Sequence, residues 1–140
     1  MVGYSGTPLP QKLGIKDGHV VTVVGAPTSF EDVLGALPTG ATIQRFASRA
    51  RQPPLFDVIV VFVKLRANLV LQIASCRPRM KQAAGLWIAW PKKASGVPTD
   101  VTEQTIRDVA LPTGLVDNKV CAIDDTWSGL RLVIRKELRR

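Results

Sequence analysis

The residues best suited to chemistry follow an apolar run. In "GLWIAWPKKASG", Lys92, Lys93 and Ser95 stand directly behind Trp90 and Pro91. Two ammonium groups, a hydroxyl and the Gly96 amide make a donor set for an anionic group. The same residues also describe a solvated turn with two surface lysines, and the sequence leaves both readings open. A second set is the turn "VVGAPTSF", in which Gly25, Ala26, Pro27 and Thr28 would form the facing wall. A third is basic: Arg45 and Arg49 follow a short β-branched run, and guanidinium groups there suit a phosphate better than a sugar diol.

Acid–base and nucleophilic catalysis find no comparable set. His19, the single histidine, opens a strand at the edge away from these residues, and Asp57 begins another strand at the same edge. Cys121 sits inside "KVCAID", where burial keeps a thiol neutral and unreactive. Cys76 and Cys121 lack metal-like spacing, so two reduced core thiols are expected. The reading leans to a protein without catalytic residues, metal or cofactor.

Two features point toward partners. "GYSGTP" places the hydroxyls of Tyr4, Ser5 and Thr7 between glycines, either as an arm folded over the rim or onto a partner, or as a loose end. Trp127 lies in the tip "DTWS"; folded under the hairpin it is core, and exposed it is a contact. The formal charge of +8, part of it in "IRKELRR", attracts phosphates and nucleic acid without specificity. No recognition motif accompanies that charge, so nucleic acid stays an open alternative. The chain has no charged-then-apolar leader and no apolar run of membrane-spanning length, which places the protein in the cytoplasm and off the membrane.

The elements that must position these residues follow from periodicity. The 140 residues, 46% of them hydrophobic, suit one domain with a real core, flanked by an arm over residues 1–8 and a basic tail over 136–140. A short helix over residues 9–13 precedes "HVVTVVGAP", a strand buried on both faces. Ser29 caps a helix that runs through Leu37 to the Pro38–Gly40 stop. "ATIQRF" is a weaker strand, and residues 49–54, with paired prolines, form a loop. "FDVIVVFV" is doubly buried, and Leu65, Leu69 and Ile73 carry a covering helix that Pro78 ends, leaving Arg77, Arg79 and Lys81 as a basic corner. "GLWIAW" is central. Asp100 and Glu103 predict a capping box for the helix bearing Ile106, Val109 and Ala110. "KVCAID" and "GLRLVIR" are too close for a crossover and pair antiparallel, with Leu130, Leu132 and Ile134 on the drier face.

Parallel strands joined by helices and finished by a hairpin give an α/β, three-layer Rossmann-like sandwich with a mostly parallel sheet. Ligands in such sheets gather at the strand carboxyl ends, where the strand order reverses.

Two resemblances bear on these residues. "GYSGTPLPQKLGI", "WIAWPKKASGVPTD" and "GLVDNKVCAIDDTWSGLRLVIRK" are similar to a widespread family of short bacterial proteins without an assigned activity, over about half the chain. The element order, with "LGI" before the first strand and a closing hairpin, resembles class I S-adenosylmethionine-dependent methyltransferases. That resemblance implies a glycine-rich turn after the first strand and a carboxylate after the second. Here Ala26, Pro27 and Thr28 follow Gly25, residues 45–49 hold no acid, and no "NPPY"-like motif occurs. The chain is also short for an enzyme of that class.

The expected function is therefore a noncatalytic domain binding an anionic ligand or partner at the rim. The alternatives are a divergent methyltransferase using S-adenosylmethionine, a homo-oligomeric or regulatory subunit, and a nucleic-acid adaptor.

Overall fold

The computed structural model describes residues 6–45 and 55–140. Its six strands are β1 (Val20–Val24), β2 (Thr42–Arg45), β3 (Phe56–Phe62), β4 (Met80–Pro91), β5 (Leu115–Ala122) and β6 (Trp127–Ile134), joined in one sheet of order β2-β1-β3-β4-β6-β5. β1 pairs in parallel with β2 and β3, and β3 with β4. β6 runs antiparallel to both of its neighbours, so it alone is reversed. This is the α/β, Rossmann-like arrangement that the sequence predicts.

The strands dictate the layers. β3 is buried at every position but Asp57, so both faces of the sheet need cover. Four helices supply it: α1 (Leu9–Lys12), α2 (Phe30–Leu34), α3 (Arg66–Cys76) and α4 (Glu103–Ala110). On one face Ile59, Val61, Leu86, Ile88 and Leu132 pack with Leu69 and Ile73 of α3 and Ile106 and Ala110 of α4. On the other, Val21, Val23, Val58, Val60 and Trp87 meet Leu13 beside α1 and Phe30 and Leu34 of α2. The Trp87 indole is fully buried and donates to the Leu13 carbonyl at 3.0 Å, which ties the α1 end to the middle of the sheet. Burial pushes the Cys76 thiol up to about 11, with Arg79 pulling weakly the other way. None of the helices in the described residues is long and apolar enough to cross a membrane.

Several boundaries differ from the periodicity, each for a physical reason. α2 stops at Leu34 rather than Leu37, because Gly35 turns the chain at φ 78°. Ser29 holds the capping position without a side-chain bond. β4 begins at Met80, ahead of "GLWIAW", and it includes Pro91. A proline fits there because the strand ends with it. The capping box of α4 is built by Thr102 and Thr105, not by Asp100 and Glu103. The Asp100 amide donates to the Lys64 carbonyl, which turns that residue toward the β3–α3 corner. Its carboxylate there accepts the Arg66 amide at 2.7 Å and so caps α3 instead.

Candidate functional site at the carboxyl ends of the strands

The chain leaves β1 for β2 on one side and leaves β3 for β4 on the other. The carboxyl ends of β1 and β3 therefore diverge, and a crevice opens between them. A cleft of about 630 Å³ lies there. Gly25 and Pro27 line it from the β1 side, and Phe62, Val63, Lys64, Leu65 and Asn68 from the β3–α3 side, with Pro98 and Trp127 completing the wall.

Gly25 sets the closeness of the two walls. It adopts φ 67°, and a Cβ at this position would stand 3.0 Å from the Phe62 carbonyl oxygen. Any larger residue meets both backbone strain and backbone atoms. The aromatic wall is a chain of edge-to-face contacts, with Phe62 5.1 Å from Phe30 and 4.9 Å from Trp127 between ring centroids. Trp127 is held by its own turn: the Asp124 carboxylate accepts the amides of Thr126 and Trp127, both at 2.8 Å. With 9% of its surface exposed, Trp127 is core and yet presents an edge to the cleft.

The opposite lip is held by the Lys64 carbonyl, which accepts the Thr99 hydroxyl at 2.6 Å and the Asp100 amide at 3.2 Å. Those bonds bring the loop bearing Pro98 over the start of α3. The cleft is thus mainly apolar, and Lys64 and Asn68 are the charged and amide residues among those that line it. Such a lining suits a ligand with a flat apolar body and a few polar groups.

Arg45 is committed elsewhere. Its guanidinium donates to the carbonyls of Ala26 at 2.9 Å and Pro27 at 3.0 Å, and it pairs with Glu31 at 2.9 Å. It clamps the β1–α2 turn from β2. Lys92, Lys93 and Ser95 lie beyond β4 and do not line the cleft. The Ser95 hydroxyl donates to the Lys92 carbonyl at 2.6 Å and accepts the Val97 amide at 3.2 Å, so it serves its own turn. Trp90 is buried on the α3–α4 face. Thr28 is exposed in the turn before α2. Thr7 borders a smaller cleft with Gln11, Lys119 and Cys121. Tyr4, Ser5 and Arg49 lie outside the described residues. Of the residues singled out in the sequence, the cleft thus gathers Gly25, Pro27 and Trp127.

Phe62, Lys64 and Asn68 were missed, though a signal existed. "FVKLRAN" follows β3 as directly as "PKKAS" follows β4, and the strand-end rule applies to both.

The groups away from the cleft are quiet. Burial raises the Cys121 thiol pKa, with Lys12 and Lys119 opposing, so the neutral form prevails. His19 Nδ1 accepts the Lys16 amide at 3.1 Å. Asp57 accepts the Val20 amide at 2.8 Å and the Lys81 ammonium at 3.0 Å, at the amino ends of the strands. The described residues contain no group of three His, Cys, Asp or Glu side chains that could hold a metal ion.

No family model matches the chain. The curated proteins yield no match either. Solved structures do match. A S-adenosylmethionine-dependent methyltransferase from Aquifex aeolicus superimposes with a TM-score of 0.65 at 12% identity, over 94% of this chain and 91% of that one. A putative methyltransferase from Thermoplasma acidophilum gives 0.58 at 10%, over 91% and 75%. Aeropyrum pernix fibrillarin, solved with natively bound S-adenosyl-L-methionine, gives 0.57 at 12%, over 94% and 70%. At these identities the likeness is one of fold. The Aquifex match takes in nearly all of both chains.

Proposed function

We propose that the chain binds S-adenosylmethionine in the β1–β3 cleft and is a divergent methyltransferase. The observation that carries this reading is the cleft of about 630 Å³ at the reversal of strand order, with Gly25 bringing the β1 turn against β3. Its size lies within the range of small-molecule sites. The residues fit such a ligand in kind: Phe62 and Trp127 offer an aromatic wall, Lys64 a cation for a carboxylate, and Asn68 an amide. The bound cofactor would supply an electrophilic methyl group. What the chain contributes is position, since holding donor and acceptor in line and excluding water accounts for much of such a rate enhancement. Pro98 and the Thr99–Lys64 bond would close the acceptor side.

A second reading has its own support. Arg45 and Glu31 occupy the β2 side of the β1 turn, where the methyltransferase resemblance implies a free carboxylate, and Pro27 stiffens the turn. This favours a noncatalytic domain that takes an anionic ligand near Lys64. Titration calorimetry with S-adenosylhomocysteine separates the two. Saturable binding, weakened about tenfold in Lys64→Ala (about 1.4 kcal/mol), is the expected result. Absence of S-adenosylhomocysteine binding, together with a melting shift by NADP or ATP, would reject the methyltransferase in favour of the anion-binding domain.

A further inference from the structure

A further cleft, of about 200 Å³, lies at the amino end of β4, away from the β1–β3 crevice. Gln82, Asn118, Arg131 and Arg139 contribute its polar side chains. Arg131 stands opposite Trp87 across the β4–β6 ladder, on the sheet face that α1 and α2 cover further along. Gly85 makes the seat. A Cβ on Gly85 would lie 2.5 Å from Arg131 Nε and 3.1 Å from its Cζ, so the guanidinium rests directly on the β4 backbone. That seat sets the half-buried guanidinium against the sheet.

The hydrogen bonds around it leave a single chemical character. Arg131 Nη1 donates to Asn118 Oδ1 at 3.4 Å, which uses the amide oxygen and leaves the Asn118 NH₂ group. The Arg140 backbone amide donates to Gln82 Oε1 at 3.0 Å, which leaves the Gln82 NH₂ group in the same way. Arg139 spends only Nε, on the Ile134 carbonyl at 2.9 Å, and keeps both terminal nitrogens. No carboxylate forms an ion pair with Arg131 or Arg139 among the described residues, and Glu137 is turned to Arg135. Two like charges and two amides, each amide oxygen already accepting one hydrogen bond, surround one small space. Burial first, and then the Arg139 charge, lower the Arg131 pKa, which is the sign of a cation short of a counter-charge.

We propose that this cleft is a binding site for a single phosphate group, seated on Arg131 and Arg139 and ordered by the NH₂ groups of Asn118 and Gln82. Guanidinium groups present paired donors matched to tetrahedral oxyanions, and a bound dianion would relieve the repulsion between the two arginines. At about 200 Å³ the cleft is smaller than the usual small-molecule site and suits a phosphate or a phosphate end. The site does not depend on what occupies the β1–β3 cleft.

Titration of the full chain with inorganic phosphate, against chloride at matched ionic strength, tests this through the Arg131 and Arg139 side-chain NMR signals. Saturable shifts with phosphate alone are expected. Arg131→Gln should weaken the midpoint at least tenfold and Arg139→Gln several-fold, while Lys93→Gln, which removes an equal charge elsewhere, should leave it unchanged. Arg139 is a tail residue, so its variant keeps the test open even if Arg131→Gln fails to fold. Shifts that never saturate, or an equal loss in Lys93→Gln, would overturn the site. Saturation by a short RNA but not by phosphate would overturn it too, in favour of a polynucleotide surface.

Discussion

Arg45, exposed on β2, and Arg131, half-buried on β6, are arginines on strands of one sheet, and they do opposite things. Arg45 meets two carbonyls and a carboxylate within 3.0 Å, so its bonding capacity goes into the β1 turn. Arg131 meets one amide oxygen at 3.4 Å and a second arginine. Sequence position favours Arg45 as the ligand group, because it ends a strand at the rim. Unspent hydrogen-bond donors favour Arg131. The two clefts differ in the same sense: the β1–β3 crevice is an apolar space framed by loops, whereas the β4–β6 cleft is a donor set built on three strands and the tail. A charge at a rim is ligand capacity only when the fold leaves its donors unspent.

The sharpest way to test the framing of the crevice is to remove its aromatic wall. Trp127→Ala deletes a nearly buried indole and its contact with Phe62, which should cost about 3–5 kcal/mol, by analogy with other large core truncations. Urea unfolding reads this directly, and Arg131 should keep its phosphate response if the folded fraction is maintained. A loss below roughly 1 kcal/mol would mean that Trp127 is a surface contact and the crevice is framed by something else.

Gly25→Ala comes next. A non-glycine residue at φ 67° costs roughly 1–2 kcal/mol, and the Phe62 carbonyl at 3.0 Å is backbone that cannot step aside. The expected loss in urea midpoint corresponds to at least that amount, and binding in the crevice should fall with it. An unchanged midpoint would show that the β1 turn is loose, and would weaken the case for a fixed crevice between β1 and β3.

How much of this could be read from the sequence follows from what each feature depends on. The layers were legible because β3 is apolar at consecutive positions and Leu69 and Ile73 share a helical face, both local patterns. The antiparallel hairpin followed from the four residues of "DTWS". The Asp100 cap was not legible as such. An Asp three residues before a Glu fits a local box, but its carboxylate is drawn 34 residues away to Arg66, and only the tertiary fold brings that amide near. The crevice was half legible: Gly25 and Pro27 follow from strand-end logic, whereas Lys64 and Asn68 needed the strand order to show that β3, not β4, borders the reversal. The Arg131 cleft was illegible, because Gly85, Asn118 and Arg131 are scattered over three strands that meet only through the β4–β6–β5 register, and Arg139 joins them from the tail.

The smallest expected effect divides the two glycines most cleanly. Gly85 lies inside β4 and is absent from the positive-φ glycines, so alanine there meets no backbone strain. Replacing glycine by alanine in a strand interior gains roughly 0.5–1 kcal/mol through the unfolded chain. Against that stands a Cβ 2.5 Å from Arg131 Nε, a side-chain atom that can move where the Phe62 carbonyl cannot. The two contributions oppose, and the net change in Gly85→Ala should stay within about 0.5 kcal/mol. Its effect on the cleft should be larger than its effect on the fold. With the guanidinium lifted off β4, the distance between Arg131 and the Asn118 and Gln82 amides changes, and the phosphate midpoint should weaken several-fold. Gly25→Ala would thus lose stability, and Gly85→Ala would lose a ligand. If Gly85→Ala instead destabilised the protein as much as Gly25→Ala while leaving the phosphate midpoint alone, the Arg131 seat would be a packing feature of the sheet.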